Sequence, residues 1–153
     1  MSGQRTLVLV KPDGVQRGLV GEVVGRLEAT GLKIVGMRLV KISRELAGKH
    51  YAEHAQKPFY RGLVDFITSG PVVALCIEGP NAIQIVRKVM GPTNPVDAPP
   101  GTIRGDFAID LGRNIIHGSA NQADADREVG LFFTPADLIE YGRVTDPWIV
   151  ETR

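Results

Sequence analysis

The sequence predicts an α/β sandwich in which helices pack on a four-stranded antiparallel sheet. Three observations point there. Short apolar and β-branched runs alternate with helical periods, glycine, proline or serine punctuates the joins, and no apolar run approaches the roughly 20 residues that cross a bilayer. The chain has 153 residues, 43% of them hydrophobic and 23% charged. That matches one ordinary domain of about 100–150 residues, here residues 1–153, and excludes disordered, collagen-like and coiled-coil readings.

The elements follow in order. Thr6-Leu7-Val8-Leu9-Val10 is stopped by Lys11-Pro12-Asp13-Gly14, which reads as a buried first strand ending in a turn with Lys11 at its C-terminal edge. Leu19, Val23 and Leu27, flanked by Val20 and Val24, recur at helical spacing up to Gly31. From Lys33 to Ile42 a second strand puts Val35, Met37 and Leu39 on one face and Ile34, Val40 and Ile42 on the other. Ser43 suits the N-cap of a short helix. Pro58-Phe59 opens another helix with Phe59, Leu63, Phe66 and Ile67 on one stripe, closed by Ser69-Gly70-Pro71. Residues 72 to 77 form a third strand, and a helix from Pro80 turns Ile83, Val86 and Val89 inward, with Arg87 and Lys88 near its end. Residues 91 to 105 hold seven glycines and prolines, so a long loop is expected. Ile115-Ile116-His117 is a brief fourth strand, Asn121 caps a helix through Glu128, and an apolar C-terminal extension carries Leu138, Ile139, Tyr141, Trp148, Ile149 and Val150. The order matches a ferredoxin-like βαββαβ arrangement.

With 18 basic and 17 acidic residues, the net charge is +1. This is too balanced for nucleic acid or an anionic membrane as the main partner. Residues 1 to 112 hold 14 basic and 10 acidic side chains (+4), and residues 113 to 153 hold 4 and 7 (−3), so an anionic ligand belongs mostly on the first part. Cys76 is the one cysteine and sits in an apolar run, which excludes an intrachain disulfide and fits a buried thiol in a reducing compartment. The N-terminal apolar stretch is too short for a signal-peptide core, and a cytoplasmic protein is expected.

The glycine-rich phosphate loops and protein-kinase signatures are absent, so phosphate chemistry here must rest on side chains. His50-Tyr51-Ala52-Glu53-His54 matches H-x-x-E-H, an inverted zinc-protease pattern. Read plainly, the same five residues are a surface helix with two solvated histidines. His117 and Ser119 share one face of the fourth strand, and Glu128, on the next helix, can return to hold one ring nitrogen of His117 and leave the other free as a nucleophile. A core histidine is the plainer reading of His117. Arg87, Thr93 and Arg104 put arginine forks and a hydroxyl around the glycine-rich loop, where they suit phosphate oxygens.

Taken together, Lys11-Pro12-Asp13-Gly14-Val15, His50-Tyr51, Pro58-Phe59, Ser69-Gly70-Pro71-Val72-Val73, Gly91-Pro92-Thr93-Asn94-Pro95, Gly101-Thr102-Ile103-Arg104-Gly105-Asp106-Phe107 and Gly112-Arg113-Asn114-Ile115-Ile116-His117-Gly118-Ser119 closely resemble the nucleoside diphosphate kinases, over essentially the whole chain and in the same order. The resemblance implies ping-pong transfer of the γ-phosphate of a nucleoside triphosphate to a nucleoside diphosphate through His117, with broad base and sugar specificity. It gives Glu128 the other imidazole nitrogen and Ser119 a bond to Glu128. Arg87, Thr93 and Arg104 are implied as phosphate ligands, with Tyr51 beside the transferring group. Lys11 and Asn114 are implied at the ribose, with Lys11 also reaching the phosphoryl group. Phe59 stacks on the base, with Leu111 opposite, and Mg²⁺ is held mainly by the nucleotide phosphates rather than by protein ligands. A homo-hexamer is implied as well, with Pro95 near a threefold contact. The chain departs from the usual family pattern at Ala120, Lys57 and Val150, where aspartate, arginine and tyrosine are common. Two other readings stand beside this one, a zinc hydrolase using His50 and His54 and a catalytically silent nucleotide-binding scaffold.

Overall fold

The computed structural model describes residues 3–151; Met1, Ser2, Thr152 and Arg153, at the ends of the expected domain, lie outside them. Four strands, β1 (Gln4–Val10), β2 (Lys33–Val40), β3 (Val72–Gly79) and β4 (Ile116–Gly118), form one antiparallel sheet in the order β2-β3-β1-β4. This is the ferredoxin-like order expected from the sequence. The apolar runs became the two central strands because they are apolar on both faces, and β3 is buried at every position.

Helices cover both sides of the sheet. On one side Val8, Val10, Val73, Leu75 and Ile77 pack against α2 (Val20–Ala29) and α5 (Ala82–Met90) through Val23, Leu27, Ala82 and Val86. On the other, Leu7, Leu9, Val72, Ala74 and Cys76 pack against α3 (Arg44–His50), α4 (Tyr60–Ile67) and α7 (Gln122–Phe132) through Ala47, Val64, Ile67 and Phe132. Cys76 is fully buried, and burial pushes its thiol up to about 11, as expected of a structural cysteine. Ser43 and Asn121 cap α3 and α7 as the sequence predicts, accepting from Leu46 N at 3.1 Å and Asp124 N at 2.8 Å.

Several local expectations changed. The Pro-Asp-Gly segment is not a plain turn but a short helix, α1 (Pro12–Gln16), since proline suits a first helical position. Gly14 is required there, because a Cβ would lie 2.8 Å from Val10 Cγ1. The even alternation expected for β2 fails at a bulge between Ile34 and Gly36. Val35 therefore turns into the core, whereas Met37 and Leu39 stay 54% and 72% exposed. The long loop ends early, in α6 (Ile103–Phe107), capped by Thr102. The C-terminal extension contains α8 (Asp146–Ile149) and is tied to the start of β2 by Arg143 Nη2 donating to Gly31 O at 2.9 Å and by Tyr141 Oη donating to Ile34 O. It leaves Trp148 90% exposed.

Candidate active site

The site is built around β4, the edge strand. Lys11 N donates to Ile115 O at 2.7 Å and Ser119 N to Leu7 O at 3.1 Å, so these odd-numbered backbone groups face β1 and the carbonyls of Ile116 and Gly118 face the open edge. Two arginines seal that edge. Arg104 Nη2 donates to Ile116 O at 2.6 Å and Arg87 Nη1 to Gly118 O at 3.2 Å. Arg104 is 4% exposed and also donates from Nε to Asn114 O at 3.2 Å and from Nη1 to Gly91 O at 3.0 Å. These bonds fix the guanidinium and leave its remaining donors for a ligand.

His117 pairs with Leu9 across the ladder, so its ring projects to the side of α3 and α7, where Leu9 also packs. There His117 Nε2 lies 2.8 Å from Glu128 Oε1, and the same oxygen accepts from Ser119 Oγ at 2.8 Å. Burial pushes the Glu128 carboxyl up, but the hydrogen bonds from His117 and Ser119 outweigh it and hold the group below its ordinary value. An ionised carboxylate only accepts, so Nε2 carries the proton and Nδ1 keeps its lone pair.

Asn114 ties the opposite wall together. Its Oδ1 accepts from Lys11 Nζ, and its Nδ2 donates to Thr93 O at 2.9 Å. The next residue, Ile115, is fully buried with φ 75, an unusual conformation for a β-branched side chain. Asp13 Oδ2 holds it by accepting from Ile115 N at 3.0 Å. Burial pulls the Lys11 amine down to about 8, with Arg104 and Arg113 adding to the fall and Asp13 opposing it. Burial likewise pulls Arg104 down to about 10, with Arg87 contributing. Tyr51 is pushed up to about 12, first by burial and then by Glu128, so it is a phenol at neutral pH.

Lys11, Tyr51, Phe59, Arg87, Thr93, Arg104, Leu111, Asn114, His117 and Glu128 all line one cleft of about 1060 Å³, with Ser119 buried behind Glu128. At its mouth Phe59 and Leu111 are 52% and 57% exposed, apolar surface a flat ring can cover. The structure thus brings together every residue expected at the site.

The H-x-x-E-H helix does not form. His50 is the last residue of α3, and His54 lies in a following 3₁₀ turn, Ala52–His54. Nor is His50 solvated. It is 3% exposed, its ring centroid lies 4.7 Å from that of His117 in an edge contact, and its Nδ1 has no hydrogen-bond partner. Burial pushes its pKa down to about 3, so the ring is neutral. Sequence reading missed this neighbour. The available signal was its helical spacing from Leu46 and Ala47, which both join the core on that side.

Fold and cleft define a class, a cleft rich in lysine and arginine side chains at the edge of a ferredoxin-like sheet, with a histidine at its centre. Residues 4–138 match the family model described as "Nucleoside diphosphate kinase". A nucleoside diphosphate kinase of Archaeoglobus fulgidus is 57% identical over 150 residues, spanning 98% of this chain and 99% of that one. One from Thermomicrobium roseum is 58% identical over 147 residues, 96% of this chain and 99% of the relative. A crystal structure of a family protein from Babesia bovis superposes with a TM-score of 0.94 at 46% identity over 96% and 99% of the two chains. The halophilic enzyme from Halobacterium salinarum, solved in complex with CDP, gives a TM-score of 0.95 at 53% identity over 97% and 99%. This chain belongs to the nucleoside diphosphate kinase family. Its activity is the family's, ping-pong transfer of a phosphoryl group between nucleotides, a reaction that uses a divalent metal. Among the described residues no helix is long and apolar enough to cross a membrane.

Proposed function

We propose that His117 is the group phosphorylated, with Nδ1 as the attacking atom. The observation that carries this is the single Glu128 oxygen that accepts both from His117 Nε2 and from Ser119 Oγ at 2.8 Å. It holds the ring in the tautomer whose Nδ1 lone pair is available, beside a cleft lined by Lys11, Arg87 and Arg104. The lone pair attacks the γ-phosphorus, the bond from that phosphorus to the β-phosphate oxygen breaks, and the nucleoside diphosphate leaves with that electron pair. A terminal oxygen of a second nucleoside diphosphate then attacks the phosphohistidine, and His117 recovers its lone pair. As the ring becomes cationic, its Nε2–H bond to Glu128 strengthens, which favours the transition state over the ground state.

Arg87, Arg104 and Thr93 hold the phosphates, and Lys11 neutralises the moving group and, with Asn114, binds the ribose. Tyr51 lies beside the transferring group. The base lies between Phe59 and Leu111. Stacking accepts any π-face, so base specificity is broad, and the CDP held by the Halobacterium salinarum enzyme fits that reading. Mg²⁺ suits this donor set as a passenger on the phosphates. On the wall where the phosphates bind, the cations Lys11, Arg87 and Arg104 repel an ion held by the protein itself. Bound with the nucleotide, Mg²⁺ would offset the negative charge of the phosphates.

Residues 1–153 act as one catalytic domain in the cytoplasm, assembled as a homo-hexamer. Exposed Met37, Leu39, Val96 and Trp148 are the apolar surface that supports assembly, and light scattering on the purified protein tests it. The mechanism is tested with γ-labelled ATP. The enzyme should take up acid-labile, alkali-stable label that GDP discharges as GTP, and the His117→Ala variant should take up none. Equal labelling of the variant would overturn the assignment.

A further inference from the structure

His50, His117 and Glu128 come from α3, β4 and α7, and each offers one ligand atom, all within 4.8 Å of one another. Nothing in the phosphoryl-transfer chemistry needs His50. Yet its ring is 3% exposed, it touches His117, and a buried Nδ1 is left without a partner. A buried imidazole nitrogen without a partner is costly. Two imidazoles and one carboxylate form the three-ligand set that a borderline divalent cation such as zinc takes, with an outer position left for water. Mg²⁺, which favours oxygen ligands, has little affinity for such a set. Ligand atoms in a tetrahedral zinc site lie about 3.3 Å apart, given bonds of about 2.0–2.1 Å. His117 Nε2 and Glu128 Oε1 at 2.8 Å have only to part slightly, while His50 moves inward.

We propose that His50, His117 and Glu128 form a zinc-binding site that switches the kinase off. For its inhibitory consequence, though not for binding, this rests on the reading of His117 as nucleophile. A cation on Nδ1 occupies the attacking lone pair. A cation on Nε2 requires the ring proton to sit on Nδ1, which removes the same lone pair; the proton changes nitrogen and no net charge leaves the ring. Either way the ring cannot accept phosphate. The working metal travels with the nucleotide, whereas the inhibitory metal is held by protein ligands, so the two are distinguished by ligand chemistry.

The experiment measures zinc bound per chain by equilibrium dialysis without nucleotide, and the visible spectrum of the Co²⁺ form. Wild type should bind one ion per chain and give the intense d–d bands of a low-symmetry nitrogen and oxygen site. His50→Gln should weaken binding at least tenfold, and Glu128→Gln, a second variant in case the first folds poorly, should do the same. His54→Gln should bind as wild type does. Absence of zinc from wild type, or wild-type affinity in both His50→Gln and Glu128→Gln, overturns the site. Zinc-loaded wild type, freed of excess metal, should label from γ-labelled ATP at least tenfold more slowly than metal-free enzyme, with recovery after EDTA. Undiminished labelling of zinc-loaded enzyme overturns the switch. Failure of metal-free wild type to label overturns the proposed phosphohistidine instead, while dialysis still decides the site.

Discussion

Replacing Glu128 by glutamine keeps an oxygen where His117 and Ser119 need an acceptor but removes its charge. In the native enzyme that oxygen accepts two bonds of 2.8 Å each, and Glu128 is 4% exposed, so water does not screen them. A hydrogen bond to a charged group is worth about 1.5–3 kcal/mol and one between neutral groups about 0.5–1.5 kcal/mol. The Ser119 bond is the same before and during transfer, so only the His117 bond discriminates. The transition state should therefore lose about 1–2 kcal/mol, roughly a 5- to 30-fold slower phosphorylation. Rapid-quench measurement of phosphohistidine formation in a single turnover reads this directly, with nucleotide affinity changing little. Ser119 adds a second test, because its hydroxyl keeps the amide oxygen of the variant turned toward it. In the Ser119→Ala, Glu128→Gln double variant the amide can rotate, donate to Nε2 and force the proton onto Nδ1, so the double should lose more than the two singles together. Phosphorylation of Glu128→Gln within about twofold of wild type, in a protein of unchanged Tm, would refute the argument that charge on this oxygen drives the step.

Three other perturbations probe the remaining parts of the cleft. Phe59→Ala should weaken adenine, guanine, cytosine and uracil nucleotides alike by about 1–3 kcal/mol, the worth of one stacked base; calorimetric titration showing loss for a single base would rule out a stacking platform. With its amine pulled down to about 8, Lys11 loses its charge as pH rises past that value, so nucleotide affinity should fall there, and Lys11→Arg should carry the plateau to higher pH. A binding profile that is flat from about pH 7 to about pH 9 in wild type would remove Lys11 from the nucleotide contacts. His50 takes a proton near pH 6.5 when unfolded and near pH 3 when folded, so the unfolded chain binds more protons between those values. Its contribution is complete above pH 6.5 and is lost as pH falls toward 3, by on the order of several kcal/mol. Urea midpoints of His50→Gln should fall less steeply with acid than those of wild type, and equal slopes would contradict the burial argument.

How much of this was legible in the sequence differs from element to element for physical reasons. β1 and β3 were plain because strands apolar on both faces leave an unbroken run, and α7 was plain because Asn121 is an explicit start signal. β2 misled because a bulge is set by pairing to β3, and one strand's alternation carries no record of the register of its neighbour. The Pro12 helix and α6 were hidden for a different reason. Proline and glycine mark a break in the preceding element equally well whether a turn or a short helix follows. Gly105 illustrates this, since it reads as a breaker but sits inside α6, where a Cβ would lie 2.0 Å from Pro99 O. At the site, His117, Glu128 and the arginines were reachable through motif resemblance. His50 was reachable as a motif residue but not as a neighbour of His117, because within H-x-x-E-H its partner is His54, four residues away, whereas the fold sets it against His117.

The electrostatics of the cleft give a reason why it should be built this way. Lys11, Arg87 and Arg104 crowd one edge strand, and burial and repulsion from neighbouring arginines disfavour the charges of Lys11 and Arg104. Three backbone carbonyls hold Arg104 and one asparagine holds Lys11, so the cations cannot move apart to relieve the strain. Asp13 gives partial relief, and it also holds the unusual backbone at Ile115 that leads into β4. A polyphosphate entering between these groups compensates charges already desolvated and already positioned, so little reorganisation remains for the moment of transfer. A neutral overall composition is compatible with this arrangement, because the basic excess is local and the acidic C-terminal part of the chain contributes Glu128 to the other side of the histidine.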